Sequence, residues 1–384
     1  GGYCIKYTVL NIGDLFHASF GANALAETAV ANGHSLGAEV FGAFMSNPTE
    51  AIIFGLIFVA LTMLIVMGGV SGGIEKVCSV GMPALFVMLL ICIIRACTLE
   101  GAVDGLKYMF VPGWAVANGV IDKEPNFFGV LSAAGGQMFF SLSLGMGIMI
   151  TYGSYLDKKE NLQKNALLII IMDTLVALMA GLCVIPGRFA LDPTGSLGGP
   201  KLLFVTMQNV FSRMGPIGPI FGILFYLLVV FAAISSSISL LEAVVAHFVD
   251  NARDAGKGDK RKAYALIAAV AVGVGAMLIC ADSLGEASFT PWRLLNLPAE
   301  SIRTWNDCWL DFFDMLSEGI MMPLGALMMT LMVGWELGPD VVKDECEASG
   351  HAMASYGFYK VCIKYITPLC MILVLYGQIK EFFF

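Results

Sequence analysis

The apolar residues of this 384-residue chain gather into long runs, not into the narrow stripes of a water-soluble helix. Runs at about 50–70, 81–99, 127–155, 165–186, 217–248, 262–281, 310–335 and 357–378 match the roughly 20 residues that an α-helix needs to cross a bilayer. Residues 1–12 read as part of a further crossing. The pattern predicts one partial and eight full crossings, with 127–155 broken and 217–248 interrupted. After residues 1–12, small residues up to 49 predict a long loop. The Gly/Pro-rich stretch 186–219, with Asp192-Pro193, Gly198-Gly199-Pro200 and Gly215-Pro216, predicts an outer loop with turns. Within it, 202–214 can form a short helix that does not span, and 257–262 reads as a charged hinge between two spans.

The most informative run is Phe139-Phe140-Ser141-Leu142-Ser143-Leu144-Gly145-Met146-Gly147. It places two serines and two glycines at mid-depth of an apolar span. Backbone groups released there find no partner in hydrocarbon, so the break implies a buried or water-lined site. Serine hydroxyls and freed carbonyls can then converge on a small ligand, with half-helix ends favouring ions. The alternative is a kinked structural helix whose serines bond back to the preceding turn.

Composition narrows the class. Hydrophobic residues make up 58% of the chain and charged residues 14%, against about 25% charged in a soluble domain. With a mean hydropathy of +0.79, the chain reads as an all-α polytopic membrane protein. Its net charge of -8 matters less than where the cations fall. Lys158, Lys159 and Lys164, then Arg253, Lys257, Lys260, Arg261 and Lys262, mark cytoplasmic connectors. The stretch 11–49 has Asp14, Glu27 and Glu39 but no Lys or Arg, which suits the opposite face. Ten cysteines are scattered without a C-x-x-C pair, as packing residues would be. The chain opens on Gly1 inside an apparent helix and shows no signal peptide.

Two further polar positions interrupt the apolar background. Ser235-Ser236-Ser237-Ile238-Ser239 can set two hydroxyls on one side of a helix, as oxygen ligands for a hard monovalent cation or as small residues for helix packing. Asp173 lies in an otherwise apolar run, where a carboxylate costs about 2.5–3.5 kcal/mol at the bilayer centre. That cost calls for an ion or proton role, or a structural hydrogen bond. Glu242 is a weaker candidate, read as lying nearer the interface. Enzyme chemistry lacks a framework: the four histidines give no H-E-x-x-H helix, and no P-loop occurs. A membrane aspartyl protease would need a second carboxylate facing Asp173. A channel would need rings of charge or a repeated filter.

Three segments carry a resemblance. Gly136-Gln137-Met138 through Gly147, followed by Ile150-Thr151-Tyr152-Gly153-Ser154-Tyr155, resembles the sixth transmembrane segment of the neurotransmitter:sodium symporter family. Phe231-Ala232-Ala233-Ile234-Ser235-Ser236-Ser237-Ile238-Ser239-Leu240-Leu241-Glu242 resembles the eighth. Gly73-Ile74-Glu75-Lys76, Met82-Pro83 and Glu100-Gly101-Ala102 resemble the fifth and its flanks. The likeness covers the whole chain, 1–384, as a single transporter domain running from the late third segment to the eleventh. It implies an inverted-repeat sodium symporter fold with discontinuous helices, lacking the first two segments at its N-terminus.

The resemblance also assigns roles. Ser141 matches a first-sodium ligand that also borders the substrate, and Phe140 matches the aromatic lid. Ser143, Met146 and Leu240 match pocket-lining positions. Asp173 stands where most members have a sodium-ligating Asn, which implies chloride independence. The Ala232 carbonyl, Ser235 and Ser236 match the second sodium site, with Ser236 also bordering the substrate. Asp314 matches the outer gate, Asp250 the inner gate, and Tyr155 the aromatic residue supporting it. Gly73 and Pro83 have the spacing that some bacterial members use to unwind the inner half of the fifth helix. The expectation is a sodium-coupled symporter of amino acids, hydrophobic ones by the adaptable Met146 and Leu240, acting by alternating access from the inner membrane. The absent segments would carry the other broken helix, so the parent protein is expected to transport and the fragment is not. A non-transporting sensor or scaffold sharing the fold is the alternative. Expected partners are an amino acid and the lipid bilayer, with no nucleic acid; oligomeric state is not legible.

Overall fold

A computed structural model describes residues 1–30, 35–124, 126–191, 199–258, 260–285, 289–295, 307–348 and 350–383. The expected turn at Asp192-Pro193 and Gly198 lies outside the described residues. Every regular element among the described residues is helical. Among the described residues, seven helices are long and apolar enough to cross a membrane: Pro48–Met67, Gly72–Cys97, Leu162–Phe189, Gly215–Asp254, Arg261–Gly285, Trp309–Glu336 and Tyr356–Lys380. The predicted broken span appears as Phe127–Ser141 followed by Ile148–Gly153. Large apolar side chains such as Leu167, Ile171, Ile267 and Val270 stand more than half exposed, as lipid-facing residues do.

The chain forms two compact units, Gly1–Glu124 with Val176–Ser283, and Pro125–Leu175 with Leu284–Phe384. The first is organised by Gly218–Asp254, an unbroken helix of 37 residues, about 55 Å long at 1.5 Å per residue. This corrects the expected interruption of 217–248. After Gly222 the helix contains no glycine or proline, and serines alone do not stop a helix whose other residues favour it. It packs against Gly2–Leu15, Pro48–Met67, Glu75–Cys97 and Arg261–Ala281. Gly222 is required where Gly2–Leu15 crosses, because any side chain would occupy the space of the Asn11 amide. Asn11 is buried and donates to Tyr7 O at 2.8 Å and to Gln208 Oε1 at 3.1 Å.

The expected loop between the first partial span, 1–12, and 49 is also corrected. It contains helices Ala22–Val30 and Leu36–Met45. Asp14 Oδ1 accepts the Asn23 N–H at 2.8 Å, tying the end of the first helix to the start of the next. Val40, Phe41, Phe44 and Met45 are buried, with the Phe41 and Phe204 rings stacked 6.2 Å apart. The small residues therefore serve close packing of short helices. The non-spanning helix expected over 202–214 is present as a π turn, Leu202–Thr206, and an α-helix, Met207–Arg213. The Gly73–Pro83 segment is wound in this structure: a π turn at Val70–Ile74 leads directly into Glu75–Cys97, which carries Pro83 inside it.

In the second unit, Phe127–Ser141 lies along Thr367–Phe383. Gly135 faces Val374 and Gly136 faces Gln378 closely enough that neither position has room for a Cβ. Phe139, Met322, Ala326, Met371 and Val374 form its buried core, with Leu144 and Met146 packed against them. The break therefore sits directly on packed side chains.

Candidate functional site

The break has a definite backbone form. Phe127–Ser141 ends with Leu142 as cap; Ser143 N–H donates to Phe140 O at 3.2 Å and Leu144 N–H to Phe139 O at 2.9 Å. These are the two bonds of a Schellman motif, in which the residue after the cap turns left-handed. That residue is Ser143, with φ 54°, where a side chain costs roughly 1–2 kcal/mol. Gly145 and Gly147 follow at φ 75° and 77°. The interruption thus begins two residues before the first glycine. Gly145 has a second constraint, since a Cβ there would strike the Met322 carbonyl. The helix resumes at Ile148, and the Thr151 N–H and hydroxyl both donate to Gly147 O, at 3.0 and 3.2 Å.

Ser141, in the last helical turn before the break, donates to both carboxylate oxygens of Asp173, at 2.7 and 2.9 Å. Asp173 is half-buried on Leu162–Phe189. The two residues that were matched to the first sodium position therefore meet, 32 positions apart in sequence. A carboxylate with a hydroxyl beside it is an all-oxygen pair, which suits a hard cation.

The second serine cluster has a different geometry. Ser235 Oγ donates to Ala232 O at 2.8 Å and Ser236 Oγ to the same carbonyl at 3.3 Å. Ser239 bonds back to Ser235 O at 3.0 Å. Ser237 turns the other way, donating to Ile234 O at 3.0 Å and sharing a 2.8 Å hydrogen bond with Thr62 on Pro48–Met67. One face of the cluster thus gathers a carbonyl and two hydroxyls, while the other joins two helices. The packing reading is met by Ser237 through its contact with Thr62.

Glu242 is 0% exposed, in an ion pair with Arg261, whose Nε also donates to Val66 O at 3.0 Å. Arg261 had been counted only as one cation of a cytoplasmic connector. Its position at the first residue of an apolar span, Arg261–Ala281, was the available signal that it is drawn inward.

The remaining positions are placed individually. Phe140 and Leu240 are about half exposed, at 51% and 46%. Met146 rests on the Phe139 core. Tyr155 is packed beside Tyr152, with centroids 6.3 Å apart. Asp250 is exposed and pairs with Arg253 at 3.9 Å. Asp314 ends a short helix, Trp309–Asp314, at the start of the π segment Met315–Met321. Among the described residues, no group of three or more His, Cys, Asp or Glu side chains forms a metal cluster.

A multi-pass helical membrane protein with a helix broken at mid-span beside a lone carboxylate belongs to the class of carriers with discontinuous helices. Comparison with known proteins makes this specific. The sodium:neurotransmitter symporter family matches residues 47–291. An uncharacterized sodium-dependent transporter of Bacillus subtilis, YhdH, is 31% identical over 344 residues, covering 87% of this chain and 68% of the relative. An uncharacterized sodium-dependent transporter of Haemophilus influenzae is 30% identical over 335 residues, covering 86% and 65%. The crystal structure of MhsT in complex with L-phenylalanine superimposes with a TM-score of 0.76 at 30% identity, covering 98% of this chain and 76% of that one. The chain thus spans about two thirds of the length of the two bacterial relatives. It belongs to the sodium:neurotransmitter symporter family.

Proposed function

We propose that this protein is a sodium-coupled symporter of amino acids, preferring hydrophobic ones, and that its transport does not require chloride. The observation that carries the sodium reading is the contact of Ser141 with both oxygens of Asp173 at the left-handed break. The Ser141 hydroxyl donates to the carboxylate. With sodium as co-substrate, the hydroxyl would turn its lone pairs to the ion and the carboxylate would supply a fixed negative charge. That charge takes the place a halide would otherwise fill, which is why chloride is dispensable. The Ala232 carbonyl with Ser235 and Ser236 is the proposed second sodium position, its neutral oxygens holding the ion more weakly. Phe140, Ser143, Met146 and Leu240 are the proposed substrate contacts, with Asp314, Asp250 and Tyr155 at the gates. The hydrophobic preference is supported by Met146 and Leu240, and by the L-phenylalanine in the MhsT complex.

Uptake of labelled phenylalanine or leucine by cells expressing the complete gene product tests this reading. An inward sodium gradient is expected to drive uptake equally in chloride and in gluconate. Asp173→Asn is expected to abolish uptake or make it chloride-dependent. Sodium-independent uptake would overturn the proposal, and chloride-free uptake unchanged in Asp173→Asn would overturn the role of the carboxylate.

A further inference from the structure

One buried cluster in the first unit is unconnected with the serines. Cys92 on Glu75–Cys97 and Cys183 on Leu162–Phe189 are buried, 6% and 2% exposed. They line a cavity of about 10 Å³ together with Met207, Met214 and Arg95. Gly187 completes the wall: a Cβ there would lie 3.9 Å from Met207 Sδ, an ordinary contact, which places the thioether against this turn of the helix. Such a cavity holds a single atom or small ion and no organic ligand.

Two thiols and two thioethers around one cavity could be simple packing, since both residue types fill cores well. Arg95 argues otherwise. It donates from Nη1 to Thr98 Oγ1 at 3.2 Å, but its Nε is buried without a hydrogen-bond partner. No carboxylate lies within ion-pair distance of it among the described residues. Apolar packing gives no reason to hold a cation and an orphaned donor beside two thiols, because an unmade buried hydrogen bond costs about 1–3 kcal/mol. An anionic thiolate pair would supply that reason.

We propose that this cavity binds one soft monovalent metal cation of the Cu(I) class, ligated by Cys92 and Cys183 as thiolates and by Met207 or Met214 as thioether. Soft sulfur donors select such ions over hard ones, and no oxygen ligand from a carboxylate lines the cavity. Binding breaks two S–H bonds, releases both protons to water and forms two metal–thiolate bonds and one metal–thioether bond, with no change of oxidation state. Two thiolates, one monovalent ion and the Arg95 guanidinium sum to zero charge, as a membrane-buried site requires. Zn(II) is disfavoured, because its structural sites take four Cys or His ligands.

The test uses the purified full chain in detergent, with Cu(I) titrated under reducing conditions against a chromogenic Cu(I) chelator. The wild-type chain is expected to retain one equivalent, and Cys92→Ala/Cys183→Ala to lose it. Met207→Leu/Met214→Leu, which removes both candidate thioethers, should weaken it about 10-fold. Cys370→Ala, at an exposed thiol, should leave it unchanged. Should the double variant fail to fold, X-ray absorption on the copper-loaded wild-type chain decides: an all-sulfur shell is expected. A shell of nitrogen or oxygen, or equal retention by wild type and a folded double variant, overturns the site.

Discussion

The broken span at 127–153 and the unbroken helix Gly218–Asp254 both carry serines at mid-depth, and they meet the cost of polarity in opposite ways. In the first, three left-handed residues, Ser143, Gly145 and Gly147, stop the helix, and Ser141 reaches a carboxylate 32 positions away. In the second, Ser235, Ser236 and Ser239 bond to carbonyls three or four residues earlier, and the helix continues. The difference lies in the backbone around the serines, where only the first has glycines that can turn left-handed. A hydroxyl with a nearby carbonyl is satisfied locally and leaves the helix whole. A broken helix instead exposes its own ends, and a carboxylate can be held beside them.

The largest expected effect tests the unbroken helix. Arg261→Ala removes the ion-pair partner of Glu242, a side chain with no exposure, and so weakens the pairing of a buried carboxylate. Breaking a buried pair in this way typically costs about 3–5 kcal/mol, so the thermal midpoint should fall steeply. Glu242→Gln in the same background should restore part of the loss by removing the charge. A midpoint unmoved by Arg261→Ala would show that this helix does not depend on the pair.

Within the break, Gly145→Ala should be far worse than Gly147→Ala. Both place a side chain at positive φ, for roughly 1–2 kcal/mol each. At Gly145 the methyl also meets the Met322 carbonyl, whereas nothing lies within 4 Å at Gly147. Overpacking of this kind adds about 1–3 kcal/mol. Equal loss at the two positions, read by denaturant or thermal unfolding, would mean that the break is not anchored through Gly145.

Much of this contrast was legible in the residues. Gly145 and Gly147 inside an apolar run announced a break because hydrocarbon cannot satisfy a freed backbone, and Asp173 announced a partner because a lone carboxylate at that depth is costly. The start of the interruption at Ser143 was not legible, since a serine at positive φ is a strained choice imposed by the surrounding packing. The continuity of Gly218–Asp254 was missed because serines were weighed as interruptions, when their hydroxyls simply fold back onto the helix. The helices within 11–49 were missed for a related reason: small residues serve loops and close helix contacts alike, and only Phe41 against Phe204 decides between them. The Glu242–Arg261 pair joins two helices across 19 residues of sequence, and charge patterning counts an Arg without showing where it points.

Ser141→Ala sharpens the comparison on the broken side. It leaves Asp173 without the hydroxyl that donates to both its oxygens, and hydrogen bonds to charged groups contribute about 1.5–3 kcal/mol. Partial exposure of both residues puts the expected loss of stability near the lower end. Ser143→Gly should act in the other direction, raising stability by about 0.5–1 kcal/mol, because glycine relieves left-handed strain at the cost of chain entropy. A decrease instead would indicate that the Ser143 hydroxyl, not its backbone, holds the turn.

The smallest effect on stability is expected from Ser235→Ala/Ser236→Ala. Both hydroxyls spend their protons on one carbonyl of their own helix, and alanine favours a helix at least as well, so the unfolding midpoint should move by no more than about 0.5 kcal/mol. The Ala232 carbonyl loses two donors but keeps its place in the helical ladder. Sodium affinity, read from the sodium dependence of uptake, should nevertheless fall, because the proposed second position loses two of its oxygens. That separation is what distinguishes this helix from the broken one, where Ser141 is expected to contribute to stability and to sodium binding together. If the double replacement destabilised the chain as much as it weakened sodium binding, the serines would be structural and the proposed second sodium position would be lost.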